Sequence, residues 1–282
     1  LEVASIEVVH VFDPVLVGNV VASAPEPDDT DAIRETLQPW VTDTPSALGE
    51  LTLEQAVNAD IFGSILGYDL ARPGREAFQL LPKQQTAAGS GFPDLLFGQF
   101  EQGDGGTLDT DRRLAVGELK SPGTDLDGSS ETDGEIDSPV EQAFGYANEN
   151  GLELQWVIVT NMEEIRLYHQ SSVSHFQRWA FEDFVENGEL TEAFWRFYHL
   201  LHREALVTDA GEESRLEQLF QRDLSERQEL TEDFYDFYRV AVEDVYEELT
   251  AEFPERADTE SGRIELIQAS QKLLHRGIVT CI

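Results

Sequence analysis

Two apolar segments, DLLFGQF at 94–100 and LAVGELK at 114–120, constrain this chain more than any other feature. Each carries charge at a defined place. Asp94 opens the first segment, and Glu118 lies within the second with Lys120 two residues on. In a strand, residues i and i+2 share a face. Glu118 and Lys120 therefore point one way, and Gly117 and Leu119 the other. A hairpin through the 101–111 turn brings Asp94 toward the same pair. Two carboxylates and an ammonium converging on one point have the chemistry of a Mg²⁺-and-phosphate site.

The rest of the composition sets the context. The 282 residues carry a net charge of −37, which alone suggests disorder, but 40% hydrophobic and 10% aromatic residues are enough for a real core. We therefore expect a folded protein with a very acidic surface. Three lysines (Lys83, Lys120, Lys272) stand against sixteen arginines. Acid excess with lysine depletion resembles proteins of salt-accumulating halophiles. The single cysteine, Cys281, excludes an internal disulfide framework and a cysteine-rich zinc site. No apolar run reaches a membrane-spanning length and no secretory leader is evident, so the expectation is a cytoplasmic protein with no membrane partner. A start at Leu1 and an end at Cys281-Ile282 inside an apolar run read as a fragment.

In chain order, the Val- and Ile-rich stretch 3–21 predicts one or two strands broken at Asp13-Pro14. A short helix is expected over 31–38, ended by Pro39. A longer one is expected over 51–66, capped by Thr52 and closed by Gly67. A strand at 77–81 precedes the two segments above. The polar stretch 121–137 has no apolar periodicity and reads as a surface loop or a mobile flap near the site. Ser138, Pro139 and Glu141 then form a capping box and open a helix that carries Gln142 and Tyr146 on one face. Strands follow at 157–160, 165–169 and 176–181, with a tight turn at 161–164. Amphipathic helices are expected over 191–205, 214–253 and 264–279. The fold class is thus α/β, a mixed central sheet flanked by helices, followed by an all-α region. The expected partition is an N-terminal extension (1–50, partly β), a catalytic domain (51–187) and a helical connector (188–282).

For chemistry, Asp94 and Glu118 are the candidate metal ligands. The backbone carbonyl of Leu119 is a further candidate, and Glu54 on the first good helix a weaker one. Lys120 orients and deprotonates the attacking water or steadies transition-state charge, and Gln142 reaches the same water or a phosphate. His199 and His202 have a ligand-like spacing but no acidic or cysteine partner placed with them, so packing is the better reading. His169 and His175 form no nucleophile–base signature. No Gly-Lys-Ser/Thr phosphate loop exists.

These residues together resemble the PD-(D/E)-x-K nuclease superfamily. Pro93-Asp94 matches its first half, Glu118-Leu119-Lys120 its second, and Gln142 with Tyr146 the Gln-x-x-x-Tyr element of its RecB-like branch. The element order is similar to its restriction-endonuclease-like αβββαβ core. The wider stretch from Gly117 to His169 is similar to the N-terminal nuclease region of type IIG restriction–modification enzymes. The resemblance spans about residues 50–280. It implies a Mg²⁺-dependent, site-specific endonuclease acting on double-stranded DNA in antiviral defence, followed by a helical connector. It also implies a methyltransferase region beyond residue 282, where S-adenosylmethionine would bind. Two other readings remain: a catalytically inactive nuclease-fold scaffold in a phage-defence complex, and an acidic DNA mimic.

Charge opposes DNA binding, since −37 repels phosphates. Divalent metal and screening at molar salt counter it. The arginines available for local contacts are Arg72, Arg75, Arg112, Arg113, Arg203, Arg215, Arg222 and Arg227.

Overall fold

A computed structural model describes residues 10–42, 49–82, 93–102, 108–109, 112–128, 130–132, 135–149, 154–208 and 212–281. Lys83, residues 84–92 ahead of the first segment and most of the 101–111 turn lie outside these residues. The chain divides into two compact units, 1–221 and 222–282.

Of the stretch 3–21 expected as strand, residues 3–9 lie outside the described residues, and the described part is helix over Pro14–Ser23. α1 (Pro14–Ser23) starts where Asp13 Oδ1 accepts the Val15 N–H at 2.7 Å and the Leu16 N–H at 3.2 Å, with Pro14 in the first turn. This cap and the burial of Leu16 and Val17 override the strand preference of the valines. α2 (Thr30–Thr42) runs through Pro39 instead of ending before it. Buried Trp40 beyond the proline donates its indole N–H to Asp60 Oδ2 at 3.2 Å, which holds the last turn in place. α3 (Glu50–Val57) is capped by Gly49, with Thr52 inside the helix, and continues as a π-helical segment over Asn58–Ile65. Gly67 then takes φ +75°, the left-handed conformation that suits glycine at a helix end.

The sheet is mixed. β1 (Ala77–Pro82), β2 (Leu95–Gln102) and β4 (Arg113–Leu119) form an antiparallel meander, with the short β3 (Leu108–Asp109) pairing beside β2. The 121–137 stretch, expected to be a surface loop or a mobile flap, contains a small hairpin of β5 (Ser130–Thr132) and β6 (Glu135–Asp137). α4 (Pro139–Glu149) crosses over to β7 (Trp156–Thr160), which lies parallel to β4. β8 (Glu164–His169) and β9 (Phe176–Ala180) complete the sheet by antiparallel pairing. The sheet order is β1-β2-β4-β7-β8-β9. A two-strand ribbon, β10 (Val185–Glu186) and β11 (Glu189–Leu190), follows.

Alternate residues of the strands feed two cores. Leu95, Phe97, Ala115, Leu119, Trp156 and Ile158 pack with residues of α1, α2, α3 and α5 (Glu192–Leu201) on one face. Leu96, Val116, Val157 and Val159 pack with Val140, Ala143 and Ala147 of α4 on the other. α5 thus belongs to the main core through Phe194, Phe197 and Leu201, and α6 (Arg203–Leu206) follows it directly. α7 (Arg215–Glu252) is one long helix whose first turns lie in the first unit. The second unit holds the remainder of α7, the short α8 (Pro254–Ala257) and α9 (Glu260–Cys281). Among the described residues no helix is long and apolar enough to cross a membrane.

Candidate active site

The site forms where β2 begins and β4 ends. Leu95 pairs with Gly117. Extending that register by one residue sets Asp94 opposite Glu118, and antiparallel partners share a face. Asp94 also accepts the Leu119 N–H on Oδ2 at 2.9 Å, so its carboxylate is tied to the end of β4. The N–H and C=O of one strand residue point toward the same neighbouring strand. The Leu119 carbonyl therefore lies on the Asp94 side, while the Lys120 N–H turns to β7 and donates to the Thr160 carbonyl at 2.8 Å.

Lys120 Nζ donates to Glu118 Oε1 at 2.6 Å and to Gln142 Oε1 at 3.0 Å. Gln142 comes from the first turns of α4, which the capping box fixes. The Ser138 N–H donates to Glu141 Oε2 at 2.8 Å, and the Glu141 N–H returns to Ser138 Oγ at 3.2 Å. Asp94, Glu118, Lys120 and Gln142 are thus brought together at the end of β4.

Glu118 is the most confined of them, at 3% exposure. Burial pushes its carboxyl up to about 7; the Asp94 carboxylate adds to the rise, the Lys120 ammonium pulls it back, and Glu54 adds a further push. Glu54, buried on α3, is therefore within electrostatic reach of Glu118. Among the described residues, Glu118 Oε2 is buried with no hydrogen-bond partner. A buried carboxylate oxygen left without a donor beside a second carboxylate carries a cost that a cation removes. The pair fits a Mg²⁺ ion that takes one or two protein carboxylates and completes its shell with water and phosphate. No group of three or more His, Cys, Asp or Glu able to hold a metal ion by itself is found among the described residues.

Other expectations fall elsewhere. Tyr146, on α4, is partly buried and packs against the adjoining core. His202 caps α6 by accepting the Glu204 N–H at 3.3 Å, and His199 sits against Trp195 at a 6.0 Å ring separation. His169 stacks on Phe220 at 3.9 Å. Of the arginines named for DNA contact, Arg75 and Arg203 pair with Asp69, Arg222 with Glu226, Arg227 with Asp223, and Arg112 with Gln99.

One cluster the sequence reading overlooked lies on β8. Arg166 is buried, bonded to Glu164 at 2.7 Å and to Asp127 at 2.9 Å, with its guanidinium 4.9 Å from the Phe176 ring. Glu164 also pairs with Arg178. The available signal was an arginine in the middle of an apolar strand, two residues after an acid.

Comparison of the chain with protein-family models, curated proteins and solved structures finds no match in any of the three.

Proposed function

We propose that the chain is a Mg²⁺-dependent DNA endonuclease domain of the PD-(D/E)-x-K kind, hydrolysing phosphodiester bonds as part of a type IIG-like restriction–modification protein. One observation carries the reading: the buried, unpartnered Glu118 Oε2 beside Asp94, with Lys120 held between Glu118 and Gln142. The element order gives support as well. α3, the β1-β2-β4 meander, α4 and a β7 parallel to β4 follow the order of the restriction-endonuclease-like core.

Asp94 and Glu118 would hold the ion, with the Leu119 carbonyl on the same side. Bound there, Mg²⁺ would neutralise the carboxylates and polarise a phosphodiester oxygen. Lys120 has three donors and spends two on Glu118 and Gln142, leaving one N–H for the scissile phosphate or the attacking water. Two acceptors, Glu118 and Gln142, hold that donor in one orientation, so it would meet developing negative charge without reorganisation. Gln142 fixes the ammonium and takes no proton itself.

The test is cleavage of plasmid DNA in Mg²⁺. Lys120→Ala is expected to abolish cutting while the circular-dichroism spectrum is retained. Undiminished cutting by that variant removes the assignment. A wild-type protein that binds DNA and never cuts it favours the inactive scaffold.

A further inference from the structure

The buried Arg166 cluster is not used by the reaction proposed above, and it sits behind the segment that joins the two halves of the site. Lys120 ends β4 and Gln142 lies in the first turns of α4; residues 121–138 connect them. The early part of this connection is tied to the β7–β8 corner. The Gly123 N–H donates to Glu163 Oε2 at 3.0 Å, and the Thr124 carbonyl accepts from Asn161 Nδ2 at 2.9 Å. Leu126 is buried in the α4-side core. Asp127 takes Arg166 Nη1 on both carboxylate oxygens, each at 2.9 Å.

The Asp127 tie differs from the others because its partner is buried and charged. Arg166 also bonds Glu164 and the Tyr168 hydroxyl, so it has few alternative positions. Next to Asp127, the Leu126 carbonyl accepts the Val140 N–H at 3.4 Å. That N–H belongs to the first turn of α4, where helix donors need partners from outside the helix. Gln142 follows two residues later and holds Lys120.

We propose that Arg166, acting through Asp127 and the Leu126 carbonyl, is a positioning residue that sets the Gln142–Lys120 contact. The inference rests on the reading of Lys120 and Gln142 as catalytic machinery. Its route is a chain of contacts from β8 to the ammonium: Arg166 holds Asp127, Asp127 adjoins Leu126, the Leu126 carbonyl meets the start of α4, and α4 presents Gln142. Neither Arg166 nor Asp127 needs to touch substrate. Coupling of this kind is non-additive, because the last link is shared.

The experiment uses the full chain and its three lysines. Labelling lysine at Cε with ¹³C gives three methylene signals, and Lys120→Arg assigns that of Lys120. Asp127 is the better probe than Arg166, since Asp127 is half exposed and Arg166→Met leaves buried Glu164 short of a cation. Asp127→Asn is expected to move the Lys120 signal in the same direction as Gln142→Ala. In the Gln142→Ala background, Asp127→Asn should add no further shift. In plasmid cleavage, Asp127→Asn should lower kcat on the order of tenfold with KM unchanged, and Arg166→Lys should restore more activity than Arg166→Met. A Lys120 signal unmoved by Asp127→Asn, or fully additive effects of the two substitutions, overturns the inference. If the signals behave as stated and the wild-type protein never cuts DNA, positioning stands and the nuclease reading fails.

Discussion

Glu118 is a carboxyl whose surroundings favour its neutral form. Its pKa is raised from 4.5 to about 7, by burial first and by Asp94 second. The folded state then holds a proton that the unfolded state has released, so stability falls as pH rises between about 4.5 and 7 and stays at the lower level above. Glu118→Gln removes this penalty. In EDTA, at pH 8, the variant is expected to be more stable than the wild type by up to about 3 kcal/mol. The lost Lys120 contact lowers that gain. Near pH 4 the two proteins should converge, because both carboxyl states are then protonated. Urea unfolding at the two pH values checks this; an equal difference at both would mean that folding leaves the Glu118 carboxyl unshifted. At the proposed Mg²⁺ site the same logic predicts binding that strengthens as pH passes 7, because the ion would need the carboxylate.

At the scale of elements, the meander depends on one glycine. The β2–β4 register shifts between Phe97 and Gly98, and a Cβ on Gly98 would run into the Arg112 carbonyl oxygen. That oxygen accepts the Gln99 N–H at 3.1 Å, so it is fixed by the ladder it would have to leave. Gly98→Ala is expected to cost about 2 kcal/mol, read as a lower thermal midpoint and, under the proposed function, as weaker cleavage, because Asp94 immediately precedes β2. The elements that hold the site were the most legible part of the sequence. Glu118 and Lys120 at i and i+2 in an apolar strand, and Ser138 with Glu141 around a proline, are local signals within a few residues. Other elements were less so. The valines of α1 speak for strand, while Asp13-Pro14 speaks for a helix start, and burial decides for the cap. The π-helical turn at 58–65 and the Arg166–Asp127 pair, separated by 39 residues, depend on contacts that no local pattern announces.

For the whole molecule, charge is the dominant unbalanced quantity. Fifty-six acids face nineteen lysines and arginines, and many arginines are already committed to nearby acids, as in Arg196–Glu192, Arg222–Glu226 and Arg227–Asp223. The exposed pairs among these contribute little each, whereas Asp223 is buried. The remaining carboxylates repel one another, and the compact state holds them closer than the unfolded chain does. Salt shortens the reach of that repulsion from about 10 Å at 0.1 M to about 3 Å at 1 M. The thermal midpoint is therefore expected to rise by about 2 °C between 0.1 M and 1 M KCl, a change on the order of 1 kcal/mol for a chain of this size. Sodium sulfate would also raise it by strengthening apolar burial, so KCl, a weaker promoter of burial, is the proper titrant. Replacing exposed acids of α7, such as Glu229, Glu232 and Asp233, with glutamine should shrink the rise in proportion to the charge removed. A midpoint flat in KCl for the wild-type chain would mean that the acidic surface does not limit stability, and that its role lies in solubility alone.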